Sequence, residues 1–189
     1  MQNQYLYIVL TRTNTILSRL IQTIKNDEYT HAAISLDENL AHMYSFGRKY
    51  TYNPFIGRFK KEEIDTGLYE HCKTIPSVVI EIQVSNEQYD NVKELLDQFI
   101  INSNLYKYNY MGLVHGLLNK SASCEHRFLC SEFVYHILNK AGIIDFETSR
   151  NLVRPIDLLE LDGRIIYQGD LKHINSLGEI ENLERVYGI

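Results

Sequence analysis

Three residues have the chemistry of a thiol hydrolase: Cys130, His31 and His42. Cys130 opens a run, residues 128–142, in which Cys130, Phe133, Val134, Ile137, Leu138 and Ala141 recur at the spacing of one buried helical face, and Gly142 suits a left-handed C-terminal cap. A cysteine in the first turn of a helix meets unpaired backbone N–H groups and the positive end of the helix dipole, which favour the anionic form of a thiol. An imidazole to hold and deliver the thiol proton, and a third group to fix the imidazole tautomer, would complete the set. The competing reading makes Cys130 a small packed hydrophobe and each histidine an ordinary strand residue.

The elements that must position these groups follow from periodicity. Residues 5–11 are apolar on both faces and rich in β-formers, the pattern of a strand covered on two sides. A helical stripe of Ile16, Leu17, Leu20, Ile21 and Ile24 follows. Residues 30–36 and 40–46 then read as a hairpin across the polar turn Asp37-Glu38-Asn39. With a two-residue loop, odd positions of the first strand share a face with even positions of the second, so His31, Ala33 and Ser35 line up with His42, Tyr44 and Phe46. His42 then stands opposite Ala33 and diagonal to His31, within reach of a polar contact.

Further along, residues 47–59 form an aromatic, glycine-containing loop or edge segment that is a candidate groove lining. Residues 60–74 are charged and carry no clear pattern. His71-Cys72 has the start of a phosphatase-type loop, but Val78 stands where arginine is required. Residues 77–84 predict a strand, and the Ser85 to Gln88 capping box predicts a helix burying Tyr89, Val92, Leu95, Leu96, Phe99 and Ile100. Residues 106–118 predict a helix weakened by Gly112 and Gly116, and residues 154–160 a short helix with Pro155 in its first turn. Residues 164–167 and 171–174 predict strands.

These residues resemble a known family. A Thr30-His31-Ala32-Ala33-Ile34-Ser35-Leu36 strand, a polar turn, Leu40-Ala41-His42-Met43, and much later the Cys130-Ser131-Glu132-Phe133-Val134 helix start are similar to the permuted papain-like cysteine hydrolases of the NlpC/P60 superfamily, in particular the YiiX-like group of bacterial proteins. In that group the histidine strand precedes the cysteine helix, as His31 precedes Cys130. The resemblance spans roughly residues 5–160. It implies an α+β, circularly permuted papain-like fold, an antiparallel sheet packed against helices that include the Cys130 helix. It also implies Cys130 as nucleophile, His31 as general base and His42 as the residue orienting the imidazole, with Tyr44 as the substitute. Tyr44 and Glu132 are the candidates for substrate contact.

The expected reaction is cleavage of an amide or ester, peptide-like or acyl-amino-acid, through a thioester. The oxyanion would be held by the Cys130 backbone N–H and one further donor. Two alternatives use the same residues: a catalytically idle binding module for a small molecule or peptide, and a thiol acyltransferase. No cofactor is implied, and the lack of CxxC or HxxxH spacing implies no metal. The expected partner is a small-molecule, peptide or acyl substrate.

Composition sets outer bounds. With 189 residues, 44% hydrophobic and 23% charged, residues 1–189 read as one domain. A net charge of -5 with scattered basic residues disfavours nucleic acid. The N-terminal apolar run is too short for a signal peptide or membrane span, and three cysteines without a repeated spacing suit a reducing compartment, so the expected location is cytoplasmic.

Overall fold

The computed structural model describes residues 3–12, 25–48, 57–64, 66, 69–70, 72–121 and 124–174. The helix expected over residues 16–24, most of the 47–59 loop, and His71 lie outside them.

The fold is α+β, built on a six-stranded antiparallel sheet. Its strands are β1 (Gln4–Thr11), β2 (His31–Ser35), β3 (Met43–Arg48), β4 (Gly57–Glu62), β5 (Pro76–Val84) and β8 (Arg164–Asp170), in the order β4-β3-β2-β1-β5-β8. The helices are α1 (Asn86–Ile101), α2 (Tyr110–Leu117) and α3 (Cys130–Lys140), and short strands β6 (Lys107–Tyr108) and β7 (Arg127–Phe128) pair in parallel. Strand β1 is apolar on both sides because it is covered on both. Leu6, Ile8 and Leu10 join a core with Ala32, Ile34 and Phe46 and with Phe99 of α1 and Phe133 and Val134 of α3. Tyr7 and Val9 join a second cluster with Ala33, Met43, Leu40, Tyr69 and Ile75.

The β2–β3 connection is longer than the expected two-residue loop. The register pairs Ile34 with Tyr44 and Ser35 with Met43, so residues 36–42 are all connection. The cause is local. The Asp37 carboxylate accepts the N–H groups of Ala41 (3.0 Å) and His42 (3.2 Å), drawing them into the turn. Leu40 adopts a positive φ of 55° and buries its side chain in the second cluster. The parity is thereby reversed: odd positions of β2 share a face with odd positions of β3.

Strand β3 runs on to Arg48, and β4 occupies the sheet edge, taking Gly57, Arg58 and Phe59 from the expected loop and Lys60, Lys61 and Glu62 from the unassigned stretch. Residues 106–118 divide into β6, the cap Asn109 and α2. Residues 155–160 form a tight 3₁₀ helix. The strand expected over residues 171–174 is instead a 3₁₀ turn, Leu171–His173, held by the Asp170 side chain, which accepts Lys172 N–H and Ile75 N–H.

Candidate active site

Cys130 is the first residue of α3. The preceding Leu129 is extended and lends no side-chain cap, while Gly142 ends the far side at φ 69°. Phe133 N–H is the first to reach back to a carbonyl, that of Leu129, so the N–H groups of Cys130, Ser131 and Glu132 precede the helical ladder. Helix α3 packs across β2 and β3, which brings its N-terminal end to the start of β2, where His31 stands.

His31 and Cys130 are each 7% exposed. The imidazole Nε2 lies 2.9 Å from Glu62 Oε2 and 3.2 Å from Oε1, and the Cys130 side chain lies close enough to the ring to act on its charge. With Nε2 committed to Glu62, Nδ1 is the ring nitrogen left for sulfur. Burial opposes charge on the ring, but the Glu62 carboxylate and the Cys130 sulfur outweigh it and raise His31 to about 10. The ring is therefore imidazolium at neutral pH.

Glu62 is equally buried and fully engaged. Besides His31 it accepts the Lys60 ammonium on Oε1 (2.9 Å) and the Tyr69 hydroxyl on Oε2 (3.2 Å). Burial alone would raise its pKa, yet the two cations hold it well below the ordinary carboxylate range. Tyr69, pushed well above its usual value by burial and by the Glu62 charge, stays a neutral donor. Since its one proton goes to Glu62, the Thr11 hydroxyl at 3.5 Å must donate to the Tyr69 oxygen. Its ring also stands edge-on to His31 at 6.4 Å. Gly47 makes room for this cluster: a Cβ there would lie 2.7 Å from Lys60 Cε and 3.3 Å from Glu62 Oε1.

Of the residues singled out in the sequence, the structure brings Cys130 and His31 together and leaves three elsewhere. His42 lies on the exposed turn, with Nδ1 3.7 Å from Asp37, because the Asp37-bound connection removes it from β3. The position it was expected to fill, beside His31, belongs to Glu62. Tyr44 does not substitute, since the reversed parity turns it to the opposite sheet face, where it stacks on Phe59 with centroids 6.0 Å apart. Glu132 is fully buried and does not face substrate. It accepts Leu129 N–H at 2.6 Å and both its oxygens lie 3.1 Å from Asn109 Nδ2. Burial raises its pKa against the lowering effect of these bonds. Asn109 in turn caps α2 by accepting Gly112 N–H at 2.8 Å. Glu132 is thus a positioning residue that ties the Cys130 end of α3 to α2.

Glu62, Lys60 and Tyr69 escaped the sequence reading. The available signal was the placement of Arg58, Lys60 and Glu62 on one side of a period-two strand, but that side is polar and gives no hydrophobic alternation.

A small cavity, about 60 Å³, opens beside Cys130 between α2 and residues 151–155. Among the described residues no group of three or more histidine, cysteine or acidic side chains is arranged to hold a metal ion, and no helix is long and apolar enough to cross a membrane.

No family model, no curated protein and no solved structure matches the chain.

Proposed function

We propose that the chain is a cysteine hydrolase that cleaves an amide or ester through a thioester on Cys130. One observation carries this reading: a buried imidazole held between a carboxylate at Nε2 and a thiol at the helix start, all three on elements packed against one another. The arrangement gives each group one role. Glu62 fixes the ring and favours its protonated form, and His31, as imidazolium, stabilises the Cys130 thiolate.

In the reaction, the thiolate adds to the substrate carbonyl and the Cys130 backbone N–H faces the developing oxyanion. Collapse of the tetrahedral intermediate breaks the bond to the leaving amine or alcohol, which takes its proton from His31. The ring, now neutral, removes a proton from water as that water attacks the thioester. Carboxylate product leaves, and the thiolate–imidazolium pair is restored. The histidine-before-cysteine order agrees with the resemblance to permuted papain-like hydrolases, and a circularly permuted papain-like fold is part of the same proposal.

Limiting iodoacetamide at neutral pH tests it. Cys130 should be alkylated well ahead of Cys72 and Cys124, and His31→Ala should slow it by about 10²-fold or more. Equal labelling of the three cysteines, or a rate indifferent to His31→Ala, would sink the proposal.

A further inference from the structure

Helix α2 is apolar on two opposite sides, and only one of them is covered. From Tyr110 to Leu117 it carries no Asp, Glu, Lys or Arg. Leu113, Gly116 and Leu117 line the cavity beside Cys130. On the other side Met111 and Val114, with the cap residue Leu118, recur at i, i+3 and i+7 and are 64%, 48% and 61% exposed. A helix apolar all round is ordinarily enclosed, and this one is open to solvent along a full stripe. Ile100, Ile101 and Leu105 precede it, at the end of α1 and in the turn before β6. Six of the eight large exposed hydrophobics among the described residues therefore fall within residues 100–118. Scattered, they would need no explanation; gathered, they mark an interaction surface.

Charge identifies what covers it. The chain holds 24 acidic residues in 189 and a net charge of -5, yet no acid occurs at positions 98–124. Cations stand at both ends of the stripe. Before α2, Lys107 and Arg127 are register partners on the exposed side of β6 and β7, with Glu125 the first acid after the gap. After it, the exposed Lys120 follows Leu118 by two positions, and Lys25 is brought alongside by donating to Asn119 at 2.8 Å. An apolar ridge flanked at both ends by basic side chains is the pattern of a helix lying in the plane of a bilayer, its hydrocarbon below the headgroups and its cations among the phosphates. A partner helix would need a groove instead. Screening within about 10 Å at 0.1 M salt lets these local cations outweigh the net negative charge of the rest of the chain.

We propose that α2 docks this protein on an anionic membrane surface, with Met111, Val114 and Leu118 in the acyl boundary and Lys25, Lys107, Lys120 and Arg127 against the lipid phosphates. The docking side faces away from the Cys130 cavity, so the proposal stands apart from the hydrolase reading and is tested without chemistry at Cys130.

Co-sedimentation with vesicles of phosphatidylcholine alone, and of phosphatidylcholine mixed equally with phosphatidylglycerol, reads the docking. Partitioning should be about 10- to 100-fold stronger onto the anionic vesicles and should fall as salt is raised. Met111→Asp or Leu118→Asp should weaken it about 10-fold or more, and Lys107→Gln about fivefold, the effect of one cation near the surface. All three positions are exposed, so thermal melts of these variants should match the native protein.

The chain contains no tryptophan, so Leu118→Trp reports its own position without background. Its emission should shift to the blue on anionic vesicles and be quenched by brominated lipid, while a Trp at Ile165, 54% exposed on β8, should show neither change. Binding that survives both aspartate variants, an unquenched Leu118→Trp, or equal partitioning onto neutral vesicles overturns the proposal. A protein that ignores both vesicles overturns it too, and a dimer that Leu118→Asp dissociates in sedimentation velocity would then assign the face to a second copy.

Discussion

Glu62 and Glu132 are both buried carboxylates, one beside His31 and one at the Cys130 end of α3, both bonded on both oxygens, and they are driven in opposite directions. Glu62 faces two cations, His31 and Lys60, and is held ionised. Glu132 is hydrogen-bonded by neutral donors, the Leu129 N–H and the Asn109 amide, and burial outweighs these bonds and the Arg150 charge, raising its pKa. The difference separates two jobs that burial alone would not distinguish. On the sheet side, charge is concentrated where it polarises an imidazole. On the helix side, hydrogen bonds from the Leu129 backbone and the Asn109 amide aim the first turn of α3.

Neutralising each carboxylate should break the symmetry of that pair. Glu62→Gln is expected to lower thiol reactivity and turnover by about 10²- to 10⁴-fold, as loss of the imidazole's orienting carboxylate does elsewhere. Its alkaline limit, set near pH 10 by His31, should also move down because the charge that raises the ring is gone. Glu132→Gln should cost about 1–3 kcal/mol of stability by placing an amide N–H₂ against Asn109 Nδ2, while reactivity per folded molecule falls less than tenfold. Urea melts and iodoacetamide pH profiles read the two quantities separately. Equal losses of reactivity in both variants would erase the distinction.

The pH dependence of stability sharpens it further. His31 is raised on folding, so its contribution is full below its ordinary value and disappears as pH rises through about 10. Glu62 is lowered, so its contribution is present above the ordinary carboxylate range and disappears as the pH falls below it. Thermal melts should therefore show an alkaline loss that is absent from His31→Ala and an acid loss that is absent from Glu62→Gln.

Smaller effects fall at the margins of the network. Lys60→Gln removes a partly exposed partner of Glu62 and should cost about 1 kcal/mol or less in a melt, with the effect shrinking in high salt. His42→Ala should leave reactivity within about twofold of the native protein, because the ring sits on an exposed turn away from His31.

Sequence made the apolar elements legible and the polar ones much less so. Strands β1 and β5 and helices α1 and α3 stand where hydrophobic periodicity places them, and Cys130 and His31, the residues expected as nucleophile and base, are brought together. The third member was misplaced for a specific reason. Asp37 has only a turn propensity in the sequence, but its carboxylate gathers two N–H groups and stretches a tight hairpin into a seven-residue connection, residues 36–42, reversing the parity of β3. A one-residue change in register moves every side chain to the other face, so an assumption about loop length decided between His42 and the true partner. Glu62 lay in a charged stretch without clear pattern, where burial is created by tertiary packing against Tyr69 and His31 and leaves no trace in local composition.

The position of β4 has a consequence for how the site is lost. It carries Glu62 but is the outermost strand, laddered to β3 alone, while His31 sits on an interior strand and Cys130 on a helix in the main core. Edge elements open at lower free energy than central ones. Mild urea should therefore detach the carboxylate from the imidazole before the fold melts, so amide exchange in β4 and the decline in thiol reactivity should share one midpoint, below that of global unfolding. The protein would then hold a folded but chemically silent form, separated from the active one by the unzipping of a single strand.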